Sequence, residues 1–345
     1  MRYRTLGRTG LRVSEVGFGG GGIGRVWGAT TDEESIRAVH RALELGITFF
    51  DVAPGYGSGK AEELVGQGLK GRRAEVSITT KVSLPLDKAG DKRGYILTSI
   101  EGSLRRLQTD HVELLLVHNP IFSRRGVPYQ GCITGDDALE MAEVFSELQQ
   151  AGKVRFIGFT GWRCNRRELA KLINSGKFDA LQTEYNIFNQ SAQKAPPPGV
   201  EMLDIAEMES QGAGMPLVDL RYSLVDQCET IPQAVTKGMG VVCIRPVLAG
   251  ILSDAIDRPI EPYPDMEKML QRARRLEFLK RSGRRTLSQA AFTFCLMNQS
   301  IATIVPGVKN TAEIEEAAGC SGARPLTKQE LRRIDELYLD DFGVP

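Results

Sequence analysis

Residues 47–57, Ile47-Thr-Phe-Phe-Asp-Val-Ala-Pro-Gly-Tyr-Gly57, join a short, mostly apolar run to an acidic residue and a glycine-containing loop. The run that ends at Asp51 is too short for a core helix and predicts a short buried strand. A helical pattern precedes it at about Thr31–Leu45, where Gly46 stops the helix. Another follows at Ala61–Leu69. The stretch therefore indicates an alternating arrangement of strands and helices.

The same alternation continues along the chain. Two more helical patterns lie at Tyr95–Leu107 and Ala138–Gln150. Capping boxes mark helix starts at Thr31/Glu34, Thr286/Gln289, Asn310/Glu313 and Thr327/Glu330. The other apolar runs predict strands at Val16–Phe18, Val76–Lys81, Val112–His118, Val154–Phe159, Ala180–Thr183, Gly240–Arg245 and Ile301–Val305. Such alternation is typical of a parallel sheet covered by helices.

Two α/β architectures fit this pattern, a doubly wound sheet and a (β/α)₈ TIM barrel. The barrel is favoured because the alternation runs through all 345 residues and no linker or composition shift divides them. We therefore predict one barrel domain, residues 1–345, with an N-terminal β-hairpin in the first fifteen residues. A long insertion, residues 190–227, precedes the seventh strand and contains Ala195-Pro-Pro-Pro-Gly199, a helical pattern at Val200–Ser210 and an apolar run at Pro216–Leu220. Loops of this length are usually functional, so we expect a substrate-side loop.

Composition excludes several classes of protein. The net charge is +1 and no basic block is present, which argues against nucleic-acid and membrane-surface binding. The six cysteines are scattered and there are only three histidines, so no metal site is expected. The first residues lack an apolar signal segment, and we predict a reduced, cytoplasmic protein. The oligomeric state is left open.

Three predicted strands end in an ionisable residue. Asp51 follows Phe49-Phe50, Lys81 follows Ile78-Thr-Thr, and His118 follows Leu114-Leu-Leu-Val117. Because the carboxyl ends of barrel strands meet on one face, we expect these side chains to lie together, joined by Tyr56 from the loop after Asp51.

This group suits reduction of a carbonyl by a nicotinamide hydride. The oxygen of the carbonyl must be protonated as charge develops on it, and Tyr56 is the candidate donor. A neighbouring Lys81 ammonium is expected to lower the pKa of Tyr56, and Asp51 to keep Lys81 charged. His118 is expected to orient the carbonyl oxygen.

Each residue also has an ordinary structural role. Asp51 suits a helix N-cap and Lys81 a solvated charge. His118 suits a buried core histidine and Tyr56 a packing aromatic. Their joint occurrence at equivalent strand ends favours the catalytic interpretation.

Two other motifs are weaker. Gly17-Phe-Gly19-Gly20-Gly21-Gly22 satisfies the dinucleotide pattern G-x-G-x-x-G, but no helical pattern opens directly after it. Tyr56 and Lys60 have the Tyr-x-x-x-Lys spacing that short-chain dehydrogenases place on a helix, but two glycines between them disfavour that helix.

In its motifs the chain resembles the aldo-keto reductase superfamily. The matching segments are Tyr3–Gly10 with Val16–Gly19, Phe49–Gly57, Thr80-Lys81, Ser103–Asp110 with Leu114–Pro120, Gly152–Gly158, Gln182–Asn186 and Val305–Lys309. Together they cover nearly the whole chain except Gln190–Gln227.

The resemblance implies a (β/α)₈ barrel that binds NADPH or NADP⁺ and reversibly reduces aldehydes or ketones. The catalytic tetrad that it implies is Asp51, Tyr56, Lys81 and His118. The predicted cofactor contacts, which include two positions where the chain departs from the family (Arg245 and Glu313), are Asp51, Thr160, Gly161, Gln182, Arg245, Leu248, Gly250, Gly307, Lys309 and Glu313. Within this set, Gln182 is expected at the nicotinamide carboxamide and Lys309 at the adenosine 2′-phosphate.

Several positions depart from the family pattern. Thr160-Gly161 replaces the usual Ser-Asn, and Ile244 replaces an aromatic that stacks on the nicotinamide. Arg245 resembles a new pyrophosphate contact, with a surface ion pair as the alternative. Glu313 stands where many members have Arg or Gln, and its carboxylate would repel a 2′-phosphate. We predict NADP over NAD mainly because of Lys309, and NAD is the alternative.

The predicted function is NAD(P)H-dependent reduction of an aldehyde or ketone to an alcohol, or the reverse, on a sugar or related small polar carbonyl. Trp27 and Trp162 are expected to line the substrate side with Tyr56 and His118, although both tryptophans also suit the core. Two alternatives remain. One is a cofactor-binding regulatory subunit with little catalysis, and the other is a tailoring reductase of a larger natural product.

Overall fold

Short strands build the centre of the molecule. The computed structural model describes residues 1–126, 131–200, 202–210, 223–254, 265–281 and 283–344. In chain order, the strands in these residues are β1 (Tyr3–Thr5), β2 (Arg12–Ser14), β3 (Phe18–Gly19), β4 (Phe49–Asp51), β5 (Ser77–Val82), β6 (Val112–Val117), β7 (Ile121–Phe122), β8 (Ile133–Thr134), β9 (Val154–Thr160), β10 (Ala180–Glu184), β11 (Gly240–Ile244) and β12 (Thr303–Ile304).

Eight of these strands form one parallel sheet that closes on itself. Their order is β3-β4-β5-β6-β9-β10-β11-β12, and every neighbouring pair is parallel. The first and last strands meet through parallel bridges, from Val16 to Ile304 and from Gly19 to Gly307. The amide of Val308 donates to the carbonyl of Gly19 at 3.0 Å at this junction. Closure confirms the predicted (β/α)₈ barrel and excludes the doubly wound alternative.

Helices cover the outside of the barrel. They are α1 (Asp32–Glu44), α2 (Lys60–Gly68), α3 (Lys92–Leu107), α4 (Gly135–Gln150), α5 (Arg166–Asn174), α6 (Ile205–Ser210), α7 (Thr230–Thr236), α8 (Met266–Arg274), α9 (Leu287–Met297), α10 (Thr311–Ala318) and α11 (Lys328–Leu339). Consecutive barrel helices pack side by side, and α1 closes the ring by packing against α10. No helix in the described residues is long and apolar enough to cross a membrane.

Two of the predicted capping boxes form in full, at the starts of α9 and α11. At the other two predicted starts, those of α1 and α10, only one of the two capping hydrogen bonds forms. Thr31 and Asn310 each accept the expected backbone hydrogen bond, but the reciprocal bonds are missing. The Glu34 carboxylate instead accepts from the Thr311 amide at 2.9 Å, and Glu313 accepts from the Lys309 amide at 2.7 Å. The prediction of a complete capping box is therefore wrong for α1 and α10, because each glutamate carboxylate accepts a hydrogen bond from another donor.

The N-terminal hairpin closes the bottom of the barrel. Strands β1 and β2 pair in antiparallel register, as predicted. Leu6, Leu11 and Val13 from the hairpin pack against inward residues of the barrel, including Phe49 and Leu114. The barrel interior at this end is therefore a filled apolar core, and space for a ligand remains at the opposite end.

The long segment before β11 is only partly described. Its helix α6 is shorter than the predicted Val200–Ser210, and the run Pro216–Leu220 lies outside the described residues. The amide of Leu203 donates to the carbonyl of Leu224 at 2.8 Å, which joins the two described parts. The Glu209 carboxylate accepts from the amide of Ser123 at 2.8 Å, so the segment packs on the residues just after β7.

Candidate active site

A cavity of about 730 Å³ opens at the carboxyl ends of the barrel strands. Its walls come from Gln182 on β10 and from the ends of β3, β4, β6, β9, β11 and β12 with the segments that follow them. Most of the predicted site residues line it, namely Trp27, Asp51, Tyr56, His118, Thr160, Trp162, Gln182, Arg245, Gly250, Gly307, Lys309 and Glu313. The size is within the usual range for a ligand-binding pocket.

The period of two along each strand explains why polar side chains meet here. Phe49 and Leu116 face the inner core of the barrel, whereas Phe50 and Leu115 face the helices. The next inward positions, toward the carboxyl ends, are occupied by Asp51 on β4, Lys81 on β5 and His118 after β6. The inner faces are thus apolar at the bottom and polar at the top.

Asp51, Lys81 and Tyr56 form a hydrogen-bonded group. The Lys81 side chain is fully buried and its Nζ donates to Asp51 Oδ2 at 2.9 Å, with Asp51 Oδ1 also in contact. The same Nζ donates to the Val52 carbonyl at 2.9 Å and to Tyr56 Oη at 3.3 Å. His118 completes the group, because its ring meets the Tyr56 ring edge-on with centroids 5.9 Å apart. The four residues predicted from their positions along the chain therefore lie together.

The charge states of these groups differ. Burial disfavours a charge on Lys81, but Asp51 and Tyr56 outweigh it and raise the pKa of Lys81, so this side chain is an ammonium. Burial and the Lys81 charge together lower the pKa of His118 to about 3, so its imidazole is neutral at pH 7.

The Tyr56 phenol does not behave as we predicted. Burial raises the pKa of Tyr56, Lys81 partly opposes that rise, and Asp51 adds to it, so the net pKa is above the usual value. The side chain is half-buried and forms part of the cavity wall. Lys81 lowers the pKa of Tyr56 as predicted, but burial outweighs this effect, so a net lowering is wrong. The phenol keeps its proton at neutral pH, as an ordinary tyrosine does.

Gln182 and Thr160 extend the polar group on the neighbouring strands. Gln182 Nε2 donates to Asp51 Oδ2 at 2.8 Å, and Thr160 Oγ1 donates to Gln182 Oε1 at 3.4 Å. Both side chains are buried except where they line the cavity. Gly161, predicted beside them, does not line the cavity, and its amide donates to the Gln182 carbonyl at 2.8 Å.

The segment after β11 supplies a second wall. Arg245 Nε lies 2.9 Å from Glu184 Oε2, so the predicted pyrophosphate residue forms a buried ion pair, not the surface pair given as its alternative. Gly250 lines the cavity, but Leu248 is fully buried in the apolar core and does not. Ile244 lines the wall at the position where the resemblance implies an aromatic.

The segment after β12 closes the far side. Lys309 Nζ lies 3.3 Å from Glu313 Oε1, and both side chains line the cavity. Trp27 packs over the adjacent glycines, and a Cβ atom added to Gly307 would lie only 2.7 Å from Trp27 Cδ1. Glycine is therefore required at position 307 for the tryptophan to cover this wall.

The two weaker motifs do not form the sites they suggested. The segment after Gly17–Gly22 is a series of turns, and α1 begins only at Asp32. Tyr56 lies in a turn and Lys60 is the first residue of α2, so no helix carries both. Among the described residues, no group of three or more His, Cys, Asp or Glu side chains is arranged to hold a metal ion.

Comparison with known proteins agrees with this geometry. The sequence model of the Aldo/keto reductase family matches residues 15–207 and 198–339. The chain belongs to the aldo/keto reductase family. This is a family of oxidoreductases, and the two matched segments overlap within the long segment before β11.

Similar proteins match either nearly the whole chain or about half of it. The chain is 26% identical to L-galactose dehydrogenase of Arabidopsis thaliana over 321 residues, which is 92% of this chain and 86% of that protein. It is 33% identical to the aldo-keto reductase YhdN of Bacillus subtilis over 204 residues, 56% of this chain and 57% of that protein. The holo form of aldo-keto reductase AKR11C1 from Bacillus halodurans superposes with a TM-score of 0.70 at 25% identity, covering 98% of this chain and 96% of that one.

Several cavity residues were missed by sequence reasoning. They are Arg163 after β9, Ser253 and Asp254 after β11, Ser288 and Phe292 on α9, and Glu316 on α10. Ser288 and Glu316 lie in the first two turns of helices whose starts were predicted. A helix that follows a barrel strand starts near the carboxyl end of that strand, so these predicted starts could have indicated that both residues lie near the cavity. Arg163 directly follows Trp162, which was predicted to line the substrate side, so the sequence position of Arg163 could have indicated the same role.

Proposed function

We propose that this protein catalyses the NADPH-dependent, reversible reduction of an aldehyde or ketone to an alcohol. The substrate is a small polar carbonyl compound such as a sugar. The observation that carries the proposal is the contact of Lys81 Nζ with both Asp51 and Tyr56 Oη beneath the open cavity.

The cavity fits an extended, anionic dinucleotide. Its inner end has the amide of Gln182 and the hydroxyl of Thr160, groups that suit the carboxamide of a nicotinamide. Arg245 and Lys309 lie along the other walls, where their positive charges suit phosphate oxygens. NADPH supplies a hydride to the carbonyl carbon when it is bound here.

Tyr56 is the proton donor in this proposal. Its phenol is protonated at neutral pH, since the ordinary tyrosine pKa is about 10 and burial raises it further, so a proton is available on Oη when negative charge develops on the carbonyl oxygen. The Lys81 ammonium, 3.3 Å away, then stabilises the phenolate that remains. Asp51 holds Lys81 in place and compensates its charge in the buried site.

His118 positions the carbonyl oxygen. Because its pKa is lowered to about 3, the imidazole is neutral and acts as a hydrogen-bond donor without supplying the proton. Its edge-on contact with the Tyr56 ring brings both groups to the same part of the cavity.

The test is NADPH consumption with a panel of aldehydes, ketones and sugars, run with the unchanged protein and Tyr56→Phe. We expect turnover to fall by about 10²–10⁴-fold in the variant, because general acid catalysis contributes about that much. NADPH affinity, measured by quenching of tryptophan fluorescence, should stay within about threefold, as expected when a group acts mainly in the transition state. Equal turnover by both proteins would refute the role of Tyr56. Tight NADPH binding without any turnover would favour the regulatory-subunit alternative.

A further inference from the structure

One wall of the cavity carries two guanidinium groups on a single indole ring. The Cζ atom of Arg163 lies 3.8 Å from the ring centroid of Trp162, and the Cζ atom of Arg245 lies 5.0 Å from it. All three side chains line the cavity. Neither arginine is needed for the proton transfer described above.

Arg245 is paired with a buried carboxylate. Arg245 is 7% exposed, and its Nε lies 2.9 Å from the carboxylate of Glu184, which is 1% exposed. The same carboxylate accepts from Asn186 Nδ2 at 3.2 Å, and Asn186 also donates to the Arg245 carbonyl at 3.2 Å. Arg245 is therefore built into the wall together with a matched negative charge.

The guanidinium of Arg163 lies over the indole ring, at a distance that suits parallel stacking. Stacking of this kind uses the π face of the group, and its N–H donors lie in the plane. That plane offers the paired donors that suit a carboxylate or phosphate. The backbone of Arg163 is in the left-handed region, with φ of 57°, a conformation that disfavours a non-glycine residue.

The position of Arg163 relative to the reacting groups is set by the strand order. Arg163 follows β9, and β9 pairs with β6, which ends just before His118. The carboxylates on the cavity wall that follow β11 and β12 are Asp254, Glu313 and Glu316. They lie two and three strands further around the barrel. Arg163 is therefore on the side of the cavity nearer His118, whereas Arg245 and Lys309 lie on the same walls as these carboxylates.

We infer that the carbonyl substrate carries an anionic group, a carboxylate or a phosphate, and that Arg163 binds this group. Trp162 covers the carbon chain between the anion and the carbonyl. This inference rests on the proposed carbonyl reduction and narrows its substrate class to anionic aldehydes or ketones.

The test compares matched pairs of aldehydes that differ in charge. The carboxylate pair is 4-carboxybenzaldehyde and its methyl ester, and the phosphate pair is glyceraldehyde 3-phosphate and glyceraldehyde. We expect the unchanged protein to prefer the anionic member of at least one pair by about tenfold or more in kcat/KM, the usual effect of one charge-assisted hydrogen bond. The pair with the larger preference identifies the anion.

Arg163→Met should lower this preference about tenfold, to near one, while turnover of the neutral aldehydes changes by less than about threefold. Arg163→Lys keeps the charge without the planar donors and should retain part of the preference. It also serves as the second variant if Arg163→Met does not fold. Arg93→Met, which removes an exposed arginine paired with Glu147, is the matched control and should leave the preference unchanged.

Three results would overturn the inference. They are equal turnover of both members of each pair by the unchanged protein, an undiminished preference in Arg163→Met, and a loss of NADPH affinity in Arg163→Met in place of the loss of preference. The last result would assign Arg163 to the cofactor. Failure of the proposed function is distinguishable, because none of the four aldehydes would then be reduced at all.

Discussion

The Nζ atom of Lys81 lies 3.3 Å from the Oη atom of Tyr56, and the same nitrogen is held by Asp51 and by the Val52 carbonyl. The ammonium is therefore fixed by three oxygen-bearing partners in a fully buried position. Its placement beneath the phenol is a property of the folded barrel, since Asp51 and Lys81 come from adjacent strands. This arrangement makes both the stability and the chemistry of the site sensitive to either charge.

Replacing Lys81 should show how strongly the stability of the protein depends on the pairing of Lys81 with Asp51. Lys81→Met leaves the Asp51 carboxylate buried without its counter-charge, and we expect the free energy of unfolding to fall by about 3–5 kcal/mol. The double variant Asp51→Asn with Lys81→Met removes both charges and should recover at least half of that loss. Urea denaturation measures both effects. A double variant no more stable than Lys81→Met would contradict the interpretation of this contact as an ion pair.

The pH dependence of carbonyl reduction should be flat around neutrality. Burial and Lys81 lower the pKa of His118 to about 3, and burial raises the pKa of Tyr56, so neither group titrates near pH 7. We therefore expect kcat/KM to be level from about pH 5 to about pH 9 and to fall at higher pH as Tyr56 loses its proton. A steady-state profile checks this. A fall in rate between pH 6 and pH 7 that disappears in His118→Gln would show that His118 titrates there.

Cofactor choice should depend on the pair formed by Lys309 and Glu313. A carboxylate 3.3 Å from Lys309 offsets the charge that would attract a 2′-phosphate. Glu313→Gln should therefore tighten NADPH binding about fivefold, the equivalent of about 1 kcal/mol between charges in water, and leave NADH binding unchanged. Lys309→Met should weaken NADPH binding and not NADH binding.

The control for this experiment is Glu315→Gln, because the Glu315 carboxylate pairs with Arg41 and does not line the cavity. Fluorescence titration with NADPH and NADH gives the two dissociation constants of the unchanged protein and of each variant. Equal weakening of NADPH and NADH binding by Lys309→Met would mean that Lys309 contacts a part common to both cofactors.

Glu330 should make stability depend on pH. Burial opposes its ionisation, but hydrogen bonds from Arg285, from the Thr327 amide and from Arg281 lower the pKa of Glu330 to about 2. The unfolded chain has a pKa of about 4.3 at this residue, so the contribution is complete above about pH 4.5 and is lost as the pH falls toward 2. Glu330→Gln should cost about 1–3 kcal/mol at pH 7 and little near pH 2.

The matched control is Glu336→Gln, which removes an exposed pair with Arg333 and should cost less than about 0.5 kcal/mol at either pH. Thermal unfolding at several pH values measures both variants. A cost for Glu330→Gln that does not change with pH would assign its effect to the capping of α11 and not to its charge.

The candidate site was predictable where it depends on position along a strand. Asp51, Lys81 and His118 were predicted to lie together because each ends an apolar run. The structure places Asp51 and His118 on the cavity wall and pairs Lys81 with Asp51. Leu248 was placed at the cofactor only by resemblance, and its side chain is buried in the core. Arg163 was missed because no periodicity distinguishes a loop residue that faces a cavity from one that faces solvent.

Pairs between distant segments could not be predicted in the same way. Glu34 was expected to complete a local capping box, but it bonds to Thr311, which is 277 residues away in the chain. Arg245 was expected at a pyrophosphate or on the surface, and it pairs with buried Glu184. A carboxylate takes the donor with the best geometry in the folded protein, and that donor is set by packing.

The sequence by itself determined the succession of strands and helices and the residue at the end of each strand. These features follow from contacts and periodicities that span a few residues. Tertiary structure alone decided that β3 meets β12 to close the barrel, that burial raises the pKa of Tyr56 and lowers that of His118, and that Trp162 contacts two guanidinium groups. Barrel closure, burial and ring stacking arise only when segments distant in the chain pack against each other and exclude water. They therefore cannot be predicted from a pattern that spans a few residues.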